Sequence, residues 1–166
     1  IFFSDDYGTQ TNCFFSKEVF REFYKPYWLR ISAKCKELGI HIWLHTCGNV
    51  EEIFDDLIEA GVDVIHPIQK YTMEEKKIAE KYGDRVCIWA GLDVQQTIPY
   101  GTEEDVENEI KRLYRTYFRE DGRFMFTFGN GLTKDCPVPL LKKAYETAYG
   151  FDVKAEYERE HGKDKK

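Results

Sequence analysis

The chain has 166 residues, 42% of them hydrophobic and 16% aromatic, enough for one real core, which excludes wholesale disorder. Lys and Arg number 24 against 30 Asp and Glu, a net charge of −6, which argues against nucleic acid or an anionic membrane surface as partner. No apolar run approaches the ~20 residues that cross a bilayer, and the cysteines at 13, 35, 47, 87 and 136 form no paired framework, so a soluble, cytoplasmic protein is expected.

The chain opens on Ile1-Phe2-Phe3-Ser4 without a methionine, inside an apparent strand, which is the expectation for a piece of a longer protein. Short apolar runs at 1–4, 41–45, 63–66, 86–90 and 124–128 read as strands: they are rich in Ile, Val, Phe and Trp and bounded by Gly, Asp or Pro. After the first, Val19, Phe20, Phe23, Tyr27, Ile31, Cys35 and Leu38 recur at three- and four-residue steps, the stripe of an amphipathic helix. Pro26 predicts a short helix, a bend, and a longer helix ending at Gly39. Asn49 is a good N-cap for the next helix, which carries Ile53, Leu57 and Ile58 and stops at Gly61.

Thr72, with Glu75 three residues on, predicts a capping box for a helix that ends at Gly83. Thr102 and Asp105 frame a further helix with Val106, Ile110, Leu113 and Tyr117 on one face. Pro137 or Pro139 opens a last one running to about Gly150. Residues 151–166 are mostly charged and are expected to form a solvated helical tail, leaving 1–150 as the folded unit.

Strands that alternate with helices pair in parallel through right-handed crossovers. Two α/β architectures satisfy that pattern, an open doubly wound sheet and a (β/α)8 TIM barrel. No G-x-G-x-x-G or G-x-x-x-x-G-K-[ST] follows the early strands. The length suits a fragment of about five βα units of a barrel that needs ~250 residues to close. Such a piece leaves two unpaired strand edges, so self-association as a homo-oligomer is expected.

In either fold the working face lies at the carboxyl ends of the strands. Those ends carry Asp5-Asp6-Tyr7-Gly8-Thr9-Gln10, His45-Thr46-Cys47-Gly48-Asn49, His66 with Gln69, Asp93 with Gln95, and Asn130 with Cys136 further along. His45 and Cys47 are two apart on an extended segment, so imidazole and sulfur point the same way and suit one zinc ion; the alternative is a core histidine beside a core cysteine. Asp5 and Asp6 face opposite ways, one into the mouth and one pinning the loop, unless both are turn formers before Gly8. Asp93 is a turn residue or a carboxylate aimed at substrate. Cys13, Cys35 and Cys87 read as core fillers and His41 as structural.

Taken together, Asp5-Asp6-Tyr7-Gly8-Thr9-Gln10, Ser16 to Tyr27, His45-Thr46-Cys47-Gly48-Asn49-Val50, Gly61-Val62-Asp63, Tyr82-Gly83-Asp84-Arg85-Val86 and Gly91-Leu92-Asp93 resemble the uroporphyrinogen decarboxylase superfamily. The likeness runs from about Ile1 to Tyr149 and covers the carboxyl-terminal part of that barrel. It implies one of two activities: cofactor-free decarboxylation of a porphyrinogen, or cobalamin-linked methyl transfer. The methyltransferase branch uses zinc held by a His-x-Cys pair and a later Cys, with the corrinoid supplied by a partner protein. His45 and Cys47 match the pair, whereas Asn130 stands where the last cysteine would be.

Under the resemblance the candidate metal ligands are His45, Cys47 and Cys136, and the candidate catalytic side chains are Asp6, Gln10, Asp93 and Asn130. Asp93, Asp5 or an upstream carboxylate are further ways to complete the site. A polyanionic porphyrinogen needs Arg or Lys at the mouth, and these loops offer only Lys70 and Lys134. The expectation is therefore a methyltransferase working with zinc and a corrinoid protein or a small methyl donor or acceptor. The alternatives are a decarboxylase and a divergent, non-catalytic barrel.

Overall fold

The computed structural model describes residues 1–161. Its strands are β1 (Phe2–Ser4), β2 (Trp43–His45), β3 (Val64–His66), β4 (Cys87–Leu92) and β5 (Phe124–Phe128). All four pairings are parallel and the strand order is β1-β2-β3-β4-β5. That order decides the architecture. A doubly wound sheet reverses direction at a switch point, whereas strands laid down strictly in sequence form the arc of a TIM barrel.

The helices are α1 (Lys17–Val19), α2 (Lys25–Glu37), α3 (Phe54–Glu59), α4 (Glu75–Tyr82), α5 (Thr97–Tyr100), α6 (Glu103–Tyr117), α7 (Val138–Gly150) and α8 (Val153–His161). One sheet face is buried beneath them: Leu44, Ile65, Ile88 and Ala90 meet Phe54, Leu57, Ile78, Ile110 and Leu113 in one continuous core. Asp56 of α3, fully buried, ties the first helical segment down by accepting from Arg21 Nε at 2.9 Å and Lys25 Nζ at 2.6 Å. Among the described residues no helix is long and apolar enough to cross a membrane.

Three sequence expectations need correction. Pro26 does not break the chain; Phe20–Tyr24 widens into a π-helical segment and Lys25 N–H bonds Phe20 O, so α1 runs into α2. Proline lacks the N–H for a normal turn and its ring presses on the carbonyl four residues back, and the wider turn relieves both. Thr72 and Glu75 form no capping box: Thr72 Oγ1 donates to Gln69 O at 2.7 Å, and Glu75 instead pairs with Arg112 of α6 at 2.8 Å. The charged tail packs instead of standing off, because Arg115 Nε donates to Glu156 Oε1 at 2.6 Å and Phe118 meets Tyr157 at 5.3 Å. Residues 162–166 of that tail lie outside the described residues.

The Thr102–Asp105 capping box forms as read, with Thr102 Oγ1 accepting from Asp105 N and Asp105 Oδ2 accepting from Thr102 N. The extra helix α5 escapes periodicity because it is only four residues long.

Candidate metal centre

Strand parity builds the site. Along β2 and the residues after it, Ile42, Leu44 and Thr46 are buried under helices, while Trp43, His45 and Cys47 alternate onto the opposite face and are half-buried. The ladder pairs Ser4 with His45, and His45 with His66. In β1, Phe3 packs edge-on against Trp28 of α2, so Ser4 and then Asp6 fall on the face that carries His45 and Cys47. Asp6, not Asp5, is therefore the carboxylate that enters the mouth.

The loop after β2 is held against the loop after β1 by hydrogen bonds donated from main-chain N–H groups. Tyr7 N donates to Thr46 Oγ1 at 3.0 Å, Asn49 N to Thr9 O at 2.7 Å, and Cys47 N to Asp6 Oδ1 at 2.8 Å. Gly48 sits at φ +83°, and a Cβ there would lie 2.3 Å from the Gly8 carbonyl carbon and oxygen, so only glycine lets the two backbones approach this closely. Gln69 Oε1 accepts from Gly48 N at 2.7 Å and fixes the turn from its far side.

The result is a compact donor set. Asp6, His45 and Cys47 bring a carboxylate oxygen, an imidazole nitrogen and a sulfur within 4.8 Å of one another; among the described residues it is the one such cluster of three. His45 Nε2 lies 3.3 Å from Cys47 Sγ and 3.8 Å from Asp6 Oδ1. Tetrahedral zinc with ordinary bond lengths requires donor separations of about 3.6 Å for N and S and about 3.3 Å for N and O. Both separations from His45 are a few tenths of an ångström from those edges and the third lies within 4.8 Å, so the residues present fit a zinc ion with one open position.

The electrostatics of the site turn on whether a cation is present. Burial and the neighbouring Asp6 carboxylate push the Cys47 thiol up to about 11, so without a cation the sulfur stays protonated. A dication among these donors would reverse that balance and leave the sulfur as thiolate. Asn130 Nδ2 donates to Cys47 Sγ at 3.3 Å, its orientation set by Gly131 N donating to Asn130 Oδ1 at 2.7 Å. His66 lies behind His45, its Nδ1 2.7 Å from His45 Nδ1 and its Nε2 3.0 Å from Phe128 O. Burial, with His45 beside it, lowers His66 to about 4 and outweighs the Phe128 bond, so its ring is neutral.

The other sequence candidates lie elsewhere. Cys136 is buried in the turn before α7, its Sγ 3.8 Å from Thr133 Oγ1, and its sulfur is not part of the donor cluster. It is committed to the core, and Asp6 is the residue that lies beside His45 and Cys47 instead. Asp93 is 5% exposed with both oxygens engaged: Oδ1 accepts from Gln95 N and Gln96 N, and Oδ2 from Thr97 N, Thr97 Oγ1 and Tyr71 OH. Burial raises its pKa, but the N–H bonds prevail and hold the carboxyl below the ordinary range. It organises the entry to α5. Gln10 is exposed at the tip of the loop closed by the Gly8–Cys13 bridge. His66 escapes a role in the sequence reading because the signal that finds it is its register with His45, a long-range property.

Residues 3–151 match the family described as uroporphyrinogen decarboxylase (URO-D). The chain belongs to that family. This URO-D chain is 28% identical over 134 residues to the methylcobamide:CoM methyltransferase MtbA of Methanosarcina mazei, a match over 81% of this chain and 37% of MtbA. A solved structure of a methyltransferase from Methanosarcina mazei superposes with a TM-score of 0.69 at 20% identity, over 90% of this chain and 41% of that one. The chain thus spans well under half the length of the relatives it matches, and its fold is an arc of their barrel.

Proposed function

We propose that this chain is the metal-bearing part of a corrinoid-linked methyltransferase of the URO-D family, with Asp6, His45 and Cys47 holding zinc. The observation that carries the reading is the convergence of those three donors at the carboxyl ends of β1 and β2. When bound, zinc would supply a Lewis-acidic centre that lowers the pKa of a substrate thiol or polarises the heteroatom of a methyl donor. Asp6 and Cys47 provide the negative charge that retains a dication, and Asn130 steadies the Cys47 sulfur by donating to it. The methyltransferase relative supports methyl transfer, and with it a partner protein that carries the corrinoid.

Decarboxylation of a porphyrinogen is the less well supported activity. Of the two lysines on the strand-end loops, Lys70 is spent on Glu109 at 2.8 Å, which leaves little positive charge for a substrate with many carboxylates.

Zinc titration of the purified chain against a chromogenic chelator tests the proposal. The expected result is one zinc per chain, with His45→Ala and Cys47→Ser each weakening binding by at least a hundredfold; each loses one of three protein donors, and four-donor structural sites reach roughly 10–16 kcal/mol. Wild-type affinity no better than that of either variant would overturn it.

A further inference from the structure

We infer that His66 is a positioning residue that sets the tautomer of His45, so that His45 turns a bare Nε2 toward Asp6 and Cys47. The consequence for metal binding rests on the function proposed above; the tautomer itself rests on hydrogen-bond direction. Phe128 O is a carbonyl and can only accept, so His66 Nε2, 3.0 Å away, carries a proton. His66 is 7% exposed and, among the described residues, its two ring nitrogens face only that carbonyl and the His45 ring. A second proton would bury an uncompensated cation, so the ring is neutral and Nδ1 is its acceptor. His45 Nδ1, 2.7 Å from it, must then donate.

In a neutral His45 ring, a proton on Nδ1 leaves the lone pair on Nε2, the nitrogen 3.3 Å from Cys47 Sγ and 3.8 Å from Asp6 Oδ1. A main-chain carbonyl at the end of β5 thus dictates, through two rings, which nitrogen faces the donors contributed by β1 and β2. The ladder holds this relay rigid. His45 and His66 are register partners, and the Trp89 ring stands 4.6 Å from the His66 ring. The opposite tautomer would put an N–H into the donor cluster and block it. Outer partners of metal-bound histidines act in this way and are worth 10–100-fold in affinity.

Two variants and one spectrum test this. His66→Leu keeps the bulk and removes the acceptor; His66→Asn places an amide oxygen near the position of the lost Nδ1. In full chains whose melting temperatures match wild type, His66→Leu should weaken zinc binding about 10–100-fold, and His66→Asn should recover most of the loss. Cobalt(II) should report the same order through its sulfur-to-metal charge-transfer band. In the metal-free wild-type chain, nitrogen-15 NMR of labelled histidine should show His45 protonated on Nδ1. Equal zinc affinity for wild type and His66→Leu would overturn the inference, as would a His66→Asn no better than His66→Leu, or His45 protonated on Nε2. If the leucine variant does not fold, the spectrum and the asparagine variant still decide it. A wild-type chain that binds no zinc would refute the metal proposal, while the spectrum would still judge the tautomer.

Discussion

Replacing Gly48 with Ala should pull apart the two loops that bring Asp6 to Cys47. Two costs add. Gly48 sits at φ +83°, a conformation that costs an L residue about 1–2 kcal/mol. The new Cβ would also fall 2.3 Å from the Gly8 carbonyl and 2.6 Å from Thr9 O, about 1 Å inside ordinary contact, and such overpacking costs about 1–3 kcal/mol. The sum centres on about 3.5 kcal/mol, a drop in melting temperature of roughly 7–14 °C for a chain of this size. Gly39 is the control, because it is also left-handed, at φ +66°, but a methyl added there would meet nothing within 4 Å. Gly39→Ala should lose only that conformational cost, about 1–2 kcal/mol, and bind zinc like wild type. Since relief at Gly48 requires the loops to separate, the 2.8 Å bond from Cys47 N to Asp6 should break and zinc affinity should fall at least tenfold. Thermal melts and zinc titrations of the two variants, side by side, measure both effects. If Gly48→Ala melts with Gly39→Ala and binds zinc like wild type, the close approach does not assemble the site.

Asp93→Ala should destabilise the chain by about 2 kcal/mol, since it strips the acceptor from three N–H groups, yet leave zinc affinity within twofold; a tenfold loss of zinc would return Asp93 to the metal site. Asp56 should make stability acid-sensitive. Burial opposes its ionisation, but Arg21 and Lys25 hold its pKa below the ordinary range. Its contribution is therefore complete above the unfolded value of about 3.9 and drains away as pH falls through the lower folded value. Urea midpoints measured from pH 5 downward should fall for wild type and less steeply for Asp56→Asn, and equal slopes would remove the ion-pair explanation. Thr102→Ala should cost about 1 kcal/mol by opening the capping box of α6, read as a melting shift of a few degrees with no change in zinc binding.

Much of the architecture is legible in residues near one another along the chain. The period-two run from Ile42 to Cys47 announces a strand with His45 and Cys47 on one face, and Thr102 with Asp105 announces a helix start; both features are local and both appear. The failures are also instructive. Thr72 and Glu75 carry the spacing of a cap, but Gln69 O and Arg112 compete for their side chains, and neither competitor is visible in a four-residue window. Pro26 breaks the hydrogen-bond pattern as expected, yet the chain absorbs it in a π turn, whose residue Arg21 and following Lys25 are both held by Asp56.

By itself, then, the sequence determined the alternation of strands and helices, the pairing of an imidazole with a sulfur, and the family likeness that runs along most of the chain. Only the tertiary structure decided that Asp6 and not Cys136 joins that pair, and that His66 stands behind His45. The reason is physical. Side-chain direction within a strand follows from local parity, whereas which residues of separate strands lie abreast depends on ladder register and loop closure over tens of residues.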